Sequence, residues 1–186
     1  MGAGLSCATT AADAGHEVTL FDAAAEIGGQ FNLARRIPGK EEFAETLRYY
    51  GRRIERTGVA LHLNRRVEPA DLAAFDHVVL ATGIVPRKPD IPGIDHPRVA
   101  GYADIVLGRR VAGKRVAIIG AGGIGFDVGE FLTHQAGHDE TEEYFAEWGI
   151  DPQYRERGGL RAANERPPSR EVWLLQRKAS KVGDGL

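Results

Sequence analysis

The sequence predicts an α/β protein in which strands and helices alternate through two successive units with parallel sheets. Short apolar segments of strand type alternate along the chain with segments whose apolar residues recur at helical spacing. In addition, the strand-like segment KRVAII runs directly into the glycine motif GAGGIG at residues 120–125. We therefore expect two Rossmann-like units, at residues 1–98 and 99–186.

Composition excludes several functional classes. The net charge of the 186 residues is -2, so the chain has no basic field that would attract nucleic acid. Cys7 is the only cysteine, so the chain cannot form an internal disulfide or a cysteine-built metal cluster, which fits the cytoplasm. No apolar run approaches the roughly 20 residues that a membrane-spanning helix needs. We expect neither a nucleic acid nor a membrane as partner, and any electron carrier to be a bound organic cofactor.

The first unit shows the pattern of a sheet covered by helices. Small residues near the N-terminus suit a helix packed closely on a sheet, and the segment EVTLFD alternates as a strand does. The predicted elements are helices at 4–14 and 40–57, and strands at 17–22, 59–63 and 77–81. Four prolines between residues 86 and 97 interrupt the pattern and mark the boundary between the units.

The second unit contains a strand, a glycine turn and a helix in direct succession. A strand at 116–119 leads into the turn, and the helix runs to about residue 134. In the G-x-G-x-x-G motif the first glycine makes the tight turn, the second allows a pyrophosphate to approach, and the third brings helix and strand together. The candidate phosphate-binding residues are Gly120, Gly122, Gly123, Ile124 and Gly125. The alternative is a glycine turn with a structural role alone.

A polar insertion at about 135–170, with a short helix near 140–148, precedes the last predicted strand at 171–176. This strand ends in Arg177 and Lys178, and cations at that point accommodate the 2′-phosphate of NADPH. The first unit has Asp22 at the corresponding strand end, where an acid binds an unphosphorylated ribose. The alternatives are a solvated basic strand end and an aspartate that stabilises a turn. One acidic and one basic strand end together predict a flavin and a nicotinamide cofactor.

A metal site is not expected. His134 and His138 are four residues apart, but Gly137 interrupts the helix that would place them on one face. A solvated helix end is the preferred interpretation.

Several longer stretches carry a family resemblance: 15–50 (GHEVTLFDAAAEIGGQFNLARRIPGKEEFAETLRYY), VVLATGIVPR, KRVAIIGAGGIGFD, EWGID and LLQRKASK. In these stretches the chain resembles the C-terminal part of bacterial NADPH-dependent 2,4-dienoyl-CoA reductases, of the Old Yellow Enzyme and trimethylamine dehydrogenase group. The resemblance implies that both units are incomplete: the strand and first two glycines that precede Gly4 in relatives, and strands that follow residue 186, are missing. It also implies that the family's barrel domain, with FMN and a 4Fe-4S cluster, is absent. We therefore expect a fragment.

The resemblance also assigns roles to individual residues. The residues implied to contact FAD are Ala3, Gly4, Asp22, Gly29, Gln30, Lys40, Val67 and Gly83. Arg177 and Lys178 match the pair that contacts the NADPH 2′-phosphate. The implied reaction passes hydride from NADPH to FAD for the reduction of unsaturated fatty acyl-CoA in β-oxidation, with the barrel domain of the same enzyme as partner. Hydride transfer between two rings depends on their placement, so no catalytic acid or base is nominated.

Two other functions remain open at this point. One is a different NAD(P)H:flavin oxidoreductase, such as a small ferredoxin- or thioredoxin-type reductase, which the absence of a cysteine pair disfavours. The other is a nucleotide-binding fragment without turnover.

Overall fold

The computed structural model describes residues 2–134, 141–164 and 167–183. The chain divides into two compact units, Met1–Leu107 and Gly108–Leu186. Each unit has helices packed on a parallel pair of strands, which confirms the predicted α/β class. The assignment of one cofactor each to residues 1–98 and 99–186 stays a prediction. Within the described ranges, no helix has the length and apolar character needed to cross a membrane.

The first unit is built around a parallel strand pair. Its elements are α1 (Gly2–Asp13), β1 (Thr19–Phe21), α2 (Phe31–Ala34), α3 (Phe43–Thr57), β2 (Ala60–His62), a 3₁₀ turn (Pro69–Leu72) and α4 (Tyr102–Val106). Thr19 of β1 lies opposite Ala60 of β2, and the register continues to Phe21 and His62. The predicted helices and the first two predicted strands are therefore present, with shorter strands than expected.

The core of the first unit lies on one face of this strand pair. Leu5 and Ala8 of α1 pack with Ile54 of α3 and with Val59, and all four are buried. The side chains that surround them include Val18, Leu20, Leu61 and Tyr50. The helical spacing of apolar residues in α3 thus buries one stripe of that helix, and Gly58 ends it in the left-handed conformation at φ 71°.

The strand predicted at residues 77–81 is absent, so that prediction was wrong. No described residue forms a backbone hydrogen bond with this segment, and it belongs to neither sheet. Strand-type residues form a strand only where a neighbouring backbone accepts and donates the ladder hydrogen bonds. The sheet of this unit contains β1 and β2 among the described residues, and neither pairs with 77–81.

The second unit contains β3 (Arg115–Ile119), α5 (Gly123–Thr133), α6 (Thr141–Glu147), a 3₁₀ turn (Arg157–Gly159) and β4 (Glu171–Leu175). The two strands are parallel, with Arg115 opposite Glu171 and Ile119 opposite Leu175. Helix α5 buries Val128 and Leu132. The strand, turn and helix predicted from KRVAIIGAGGIG are therefore all present, and α6 lies in the polar insertion.

The end of α5 is fastened to the start of β4. The Ser169 hydroxyl donates to the carbonyl oxygens of Leu132 (2.9 Å) and His134 (3.2 Å), and the Arg170 guanidinium donates to Leu132 (3.0 Å). Carbonyl groups in the last turn of a helix have no partner within the helix, so these side chains satisfy acceptors that would otherwise need water. The two ends of the insertion consequently lie together.

Asp151 organises the turn that follows α6. Its carboxylate is 2% exposed and accepts hydrogen bonds from the backbone N–H groups of Gln153 (3.1 Å) and Arg155 (2.8 Å) and from the Arg155 guanidinium. The Arg155 side chain is the largest cause that lowers the pKa of Asp151 from 3.8 to about 2, and the backbone donors add to it while burial opposes it.

Replacing Gly28 should destabilise the first unit, whereas replacing Gly51 should not. Gly28 has φ +120°, and a Cβ there would lie 2.7 Å from Cδ2 of Leu47 and 3.0 Å from Nδ2 of Asn32. We expect Gly28→Ala to lower the free energy of unfolding by roughly 2–4 kcal/mol because overpacking and backbone strain add. The matched control Gly51→Ala, inside α3 with open space around the Cβ position, should raise it by about 0.5–1 kcal/mol. Urea denaturation measures both; equal effects would contradict the packing argument.

Acid should weaken the second unit through Asp151. A carboxyl with a folded pKa near 2 and an unfolded pKa near 3.8 adds stability at higher pH that is lost as the pH falls from about 4 through 2. We expect the urea midpoint of the wild type to fall over this range, and Asp151→Asn to be less stable at neutral pH with a smaller further fall. Asp95→Asn, at a side chain that is 82% exposed, is the control. Parallel acid profiles for wild type and Asp151→Asn would exclude this role.

Candidate functional site

The glycine turn of the second unit brings β3 and α5 into direct contact. Gly120 follows β3 with φ +123°, a conformation that glycine alone adopts without strain. A Cβ on Gly125 would overlap the carbonyl oxygen of Gly120, so the third glycine of the motif is required by packing. The closest approach of helix and strand thus occurs at the turn itself.

The N-terminus of α5 lies at this turn. Gly122 is its N-cap residue, with extended backbone and no side-chain cap, and Gly123 and Ile124 form the first helical positions. The N–H groups in the first turn of a helix lack partners within the helix and carry partial positive charge. This arrangement is suited to binding a phosphate group.

The basic pair lies at the same edge of the sheet as the glycine turn. The backbone N–H of Gly120 donates to the carbonyl oxygen of Leu175 at 2.9 Å, so β3 and β4 end side by side. Arg177 and Lys178 follow directly and are exposed. The structure therefore brings the turn and both cations to one sheet edge, where the two side chains are accessible to a ligand.

In the first unit, Asp22 follows β1 and combines a turn role with an unused acceptor. Its Oδ1 atom accepts a hydrogen bond from the Ala24 N–H at 2.9 Å, as in an Asx turn. Its Oδ2 atom is buried and has no hydrogen-bond partner among the described residues. A buried acceptor without a donor is costly, so Oδ2 fits a hydroxyl group of a ligand.

The start of α1 lies against the segment that carries Gly83. Gly4 is buried, and a Cβ there would lie 3.2 Å from the Cβ of Ala81. Ala3 is exposed in the same helical turn, and Gly83 has φ 76°. Helix α1 therefore meets Ala81, two residues before Gly83, and the assignment of both segments to one cofactor stays a prediction.

The other residues predicted to contact FAD lie in loops of the first unit. Gly29 has φ 54° in the turn before α2, and Gln30 is exposed. Lys40 and Val67 are half-buried, in the loops before α3 and after β2. Within the part of the chain that is described, no hydrogen bond joins Asp22, Gln30 and Val67 to one another.

Sequence analysis did not single out two polar residues of the first unit, Tyr102 and Asn32. The Tyr102 hydroxyl donates to Oε1 of Gln30 at 3.0 Å, which leaves the Gln30 amide nitrogen available as a donor. Asn32 donates to the carbonyl oxygen of Ile27, and its own buried Oδ1 atom has no partner. Tyr102 is remote in sequence, so no local pattern could identify it. Asn32 stands in the IGGQFN stretch, which was the available signal.

The histidine pair weighed as a metal site is not fully described, since His138 lies outside the described residues. Among the residues that are described, no group of three or more His, Cys, Asp or Glu side chains could hold a metal ion.

Comparison with known proteins places these features in a family. Residues 2–146 match the family model described as pyridine nucleotide-disulphide oxidoreductase. The N,N-dimethylglycine/sarcosine dehydrogenase of Chromohalobacter salexigens is 41% identical over 123 residues, which are 62% of this chain and 18% of that protein. The metal reductase of Desulforamulus reducens is 32% identical over 136 residues, which are 70% of this chain and 20% of that protein.

Among solved structures, a 2-naphthoyl-CoA reductase complex with 2-naphthoyl-CoA aligns with a TM-score of 0.67 and 35% identity, over 71% of this chain and 20% of that one. The chain thus spans about one fifth of the length of these relatives. The family model covers most of the chain, including the glycine turn and α5, and we conclude that the chain belongs to the pyridine nucleotide-disulphide oxidoreductase family.

Proposed function

We propose that this chain is the FAD- and NADPH-binding part of a flavin-dependent oxidoreductase that reduces unsaturated acyl-CoA. The first unit holds FAD and the second holds NADPH. The observation that carries the proposal is the shared sheet edge of the second unit, where the glycine turn, the α5 N-terminus and the basic pair lie together.

Each element of that edge matches one part of NADPH. The exposed N-terminus of α5 and the close approach at Gly125 suit the pyrophosphate. Arg177 and Lys178 offer two positive charges one strand away, and a 2′-phosphate pairs with such charges while a free 2′-hydroxyl gains little. This combination favours NADPH over NADH.

The first unit fits FAD at its strand end and its helix start. The buried Oδ2 atom of Asp22 accepts a ribose hydroxyl, which supplies the missing hydrogen bond. The first turn of α1, at Ala3 and Gly4, packs against Ala81, which places it close to the segment that carries Gly83. Gln30, fixed by Tyr102, presents its amide nitrogen as a donor to a flavin or phosphate oxygen. Lys40 adds positive charge, and the Val67 backbone meets the adenine.

Bound FAD supplies a ring that accepts hydride from NADPH. The residues of this chain contribute binding and orientation: backbone N–H groups and cations hold the phosphates, and Asp22 fixes the adenosine half. No side chain is assigned a proton transfer. The acyl-CoA step belongs to residues outside this chain, in a barrel domain with FMN and a 4Fe-4S cluster. Support for the substrate class comes from the likeness to the 2-naphthoyl-CoA reductase complex.

A second candidate is nucleotide binding without turnover. It is favoured by the backbone at residues 77–81, just before Gly83, which pairs with no described strand. In that case the second unit would bind NADPH while the first binds no flavin.

Reconstitution with FAD tests the first unit. We expect the purified chain to bind FAD, to turn yellow, and to be bleached by NADPH under anaerobic conditions. Asp22→Asn keeps the acceptor of the Asx turn but replaces Oδ2 by a donor, so the dissociation constant for FAD should rise roughly 10- to 100-fold. Flavin fluorescence quenching measures this constant, and Asp76→Asn, at an exposed acid, is the control. A colourless protein that binds NADPH would support the second candidate, and an unchanged constant for Asp22→Asn would exclude its ribose role.

Coenzyme selectivity tests the second unit. The double variant Arg177→Gln/Lys178→Gln should lose roughly 10- to 100-fold in NADPH affinity with NADH affinity nearly unchanged, because only NADPH carries the 2′-phosphate. Titration calorimetry measures both affinities. Lys114→Gln removes a charge at the opposite end of β3 and should change neither. Equal losses for NADPH and NADH would assign the basic pair to another role.

A further inference from the structure

The described part of the insertion, residues 141–164, folds back on itself within the second unit. The backbones of Ile150 and Leu160 pair as an antiparallel bridge. Next to this bridge, the Arg161 N–H donates to the Gly149 carbonyl oxygen at 2.8 Å. The chain that follows α6 therefore returns along its own backbone, and this pairing fixes the two arms of the segment against each other.

Large apolar side chains of this segment lie in solvent instead of in a core. Trp148 is 65% exposed, Tyr154 79%, Leu160 63% and Tyr144 49%. The rings of Tyr144 and Trp148 are four residues apart in the chain, and their centroids lie 6.0 Å apart. Helix α6 itself buries no residue. We call the four exposed side chains the insertion surface.

Tyr154 is held in a conformation that a tyrosine rarely adopts. Its φ angle is 53°, in the left-handed region that disfavours residues other than glycine. The buried Asp151 fixes this turn, because its backbone carbonyl oxygen accepts a hydrogen bond from the Tyr154 N–H at 3.1 Å. The ring lies against the backbone of Gly159, with Cδ1 3.2 Å from the Cβ position of that glycine. A strained turn thus presents a fixed aromatic ring to solvent, and a fixed ring loses little entropy when a partner covers it.

Four exposed charged side chains of the same segment have no ion-pair partner among the described residues: Glu142, Glu156, Arg157 and Arg161. Two are acids and two are bases, so together they carry no net charge. In a dimer with a two-fold axis, an acid of one copy faces a base of the other, and the same contact occurs twice. This set of charges is therefore complementary to a second copy of itself.

The area of the insertion surface fits an interface between two copies. At roughly 200 Å² for each large side chain, the exposed fractions of the four amount to about 500 Å² per chain. The four charged side chains add to this area, and a standard interface buries about 800 Å² per partner. Tyrosine, tryptophan and arginine are also the residue types that contribute most to the stability of such interfaces.

We propose that this chain forms a dimer in which two copies of the insertion surface pack on each other about a two-fold axis, with the two acids of one copy facing the two arginines of the other. The insertion joins the end of α5 to the start of β4, at the sheet edge opposite the glycine turn. The dimer therefore does not require the edge that carries the α5 N-terminus and the basic pair. Its formation depends on neither FAD nor NADPH.

Sedimentation velocity of the whole chain without cofactors, over a wide range of protein concentrations, tests the dimer. We expect a reversible monomer–dimer equilibrium. Trp148→Asp should raise the dimer dissociation constant at least about 100-fold, because it removes a large apolar contact and buries a charge in the interface. Val111→Asp and Leu80→Asp, at side chains that are 91% and 81% exposed outside the insertion, are the matched controls and should leave the constant unchanged. Circular dichroism checks that each variant folds.

A charge exchange tests the two-fold arrangement without changing an apolar side chain. An acidic variant, Arg157→Glu/Arg161→Glu, and a basic variant, Glu142→Arg/Glu156→Arg, should each dimerise at least about tenfold more weakly than the wild type, because like charges face each other. In an equimolar mixture the two variants should form a heterodimer, because each copy then faces the opposite charge. Native mass spectrometry distinguishes the heterodimer from both homodimers.

Fluorescence reports whether Trp148 lies in the interface. Trp148 and Trp173 are the two tryptophans of the chain, so Trp173→Phe leaves Trp148 as the single emitter. Its emission maximum should move to shorter wavelength as the dimer forms, since the ring leaves water. A maximum that stays constant while the dimer forms would place the interface elsewhere and overturn the proposal.

Three other outcomes would also overturn it. A monomer at every concentration would leave the insertion surface to another domain of a longer protein. An equal loss of dimer with Trp148→Asp and Leu80→Asp would indicate association through exposed apolar residues in general. A mixture of the two charge variants that stays monomeric would exclude the two-fold pairing of acids with arginines. Cofactor affinities are measured separately, so each of these results leaves the proposed function intact.

Discussion

The approach of α5 to β3 at Gly125 is the contact on which the second unit depends. A side chain there would overlap the Gly120 carbonyl, so the helix could not begin where it does. That position directs the first-turn N–H groups of α5 to the edge where β3 and β4 end together. The position of the α5 N-terminus follows from this packing constraint, and the pairing of β3 with β4 brings Arg177 and Lys178 to the same edge.

The first unit depends on a corresponding contact between a helix and a strand, made at Gly4. Gly4 lets α1 lie close to Leu20 of β1 and to Ala81. The core formed by α1 and α3 buries one face of the strand pair, and among the described residues β1 pairs with β2 alone. The buried core lies where α1 packs on β1 and β2. Val79 and Leu80, which pair with no described strand, are exposed.

Sequence patterns predicted the elements whose burial is local. Helices α1, α3 and α5 and strands β3 and β4 follow their apolar periodicity closely, because each buries a single stripe or face. The strand at 77–81 was predicted wrongly because strand formation depends on a neighbour that no local pattern reports. The strand–turn–helix context of Gly120–Gly125 was predictable, and its cofactor role stays a prediction. The hydrogen bond between Tyr102 and Gln30 was not predictable, because it joins residues remote in sequence.

Ser169 and Arg170 hold the end of α5 next to the start of β4, and so they fix both ends of the polar insertion that joins these two elements. Because residues 134 and 169 are held together, the segment between them leaves and re-enters the unit at one point. The entropy of closing such a loop changes only slowly with its length. The insertion can therefore be lengthened, shortened or replaced by another domain without moving β3, β4 or the glycine turn.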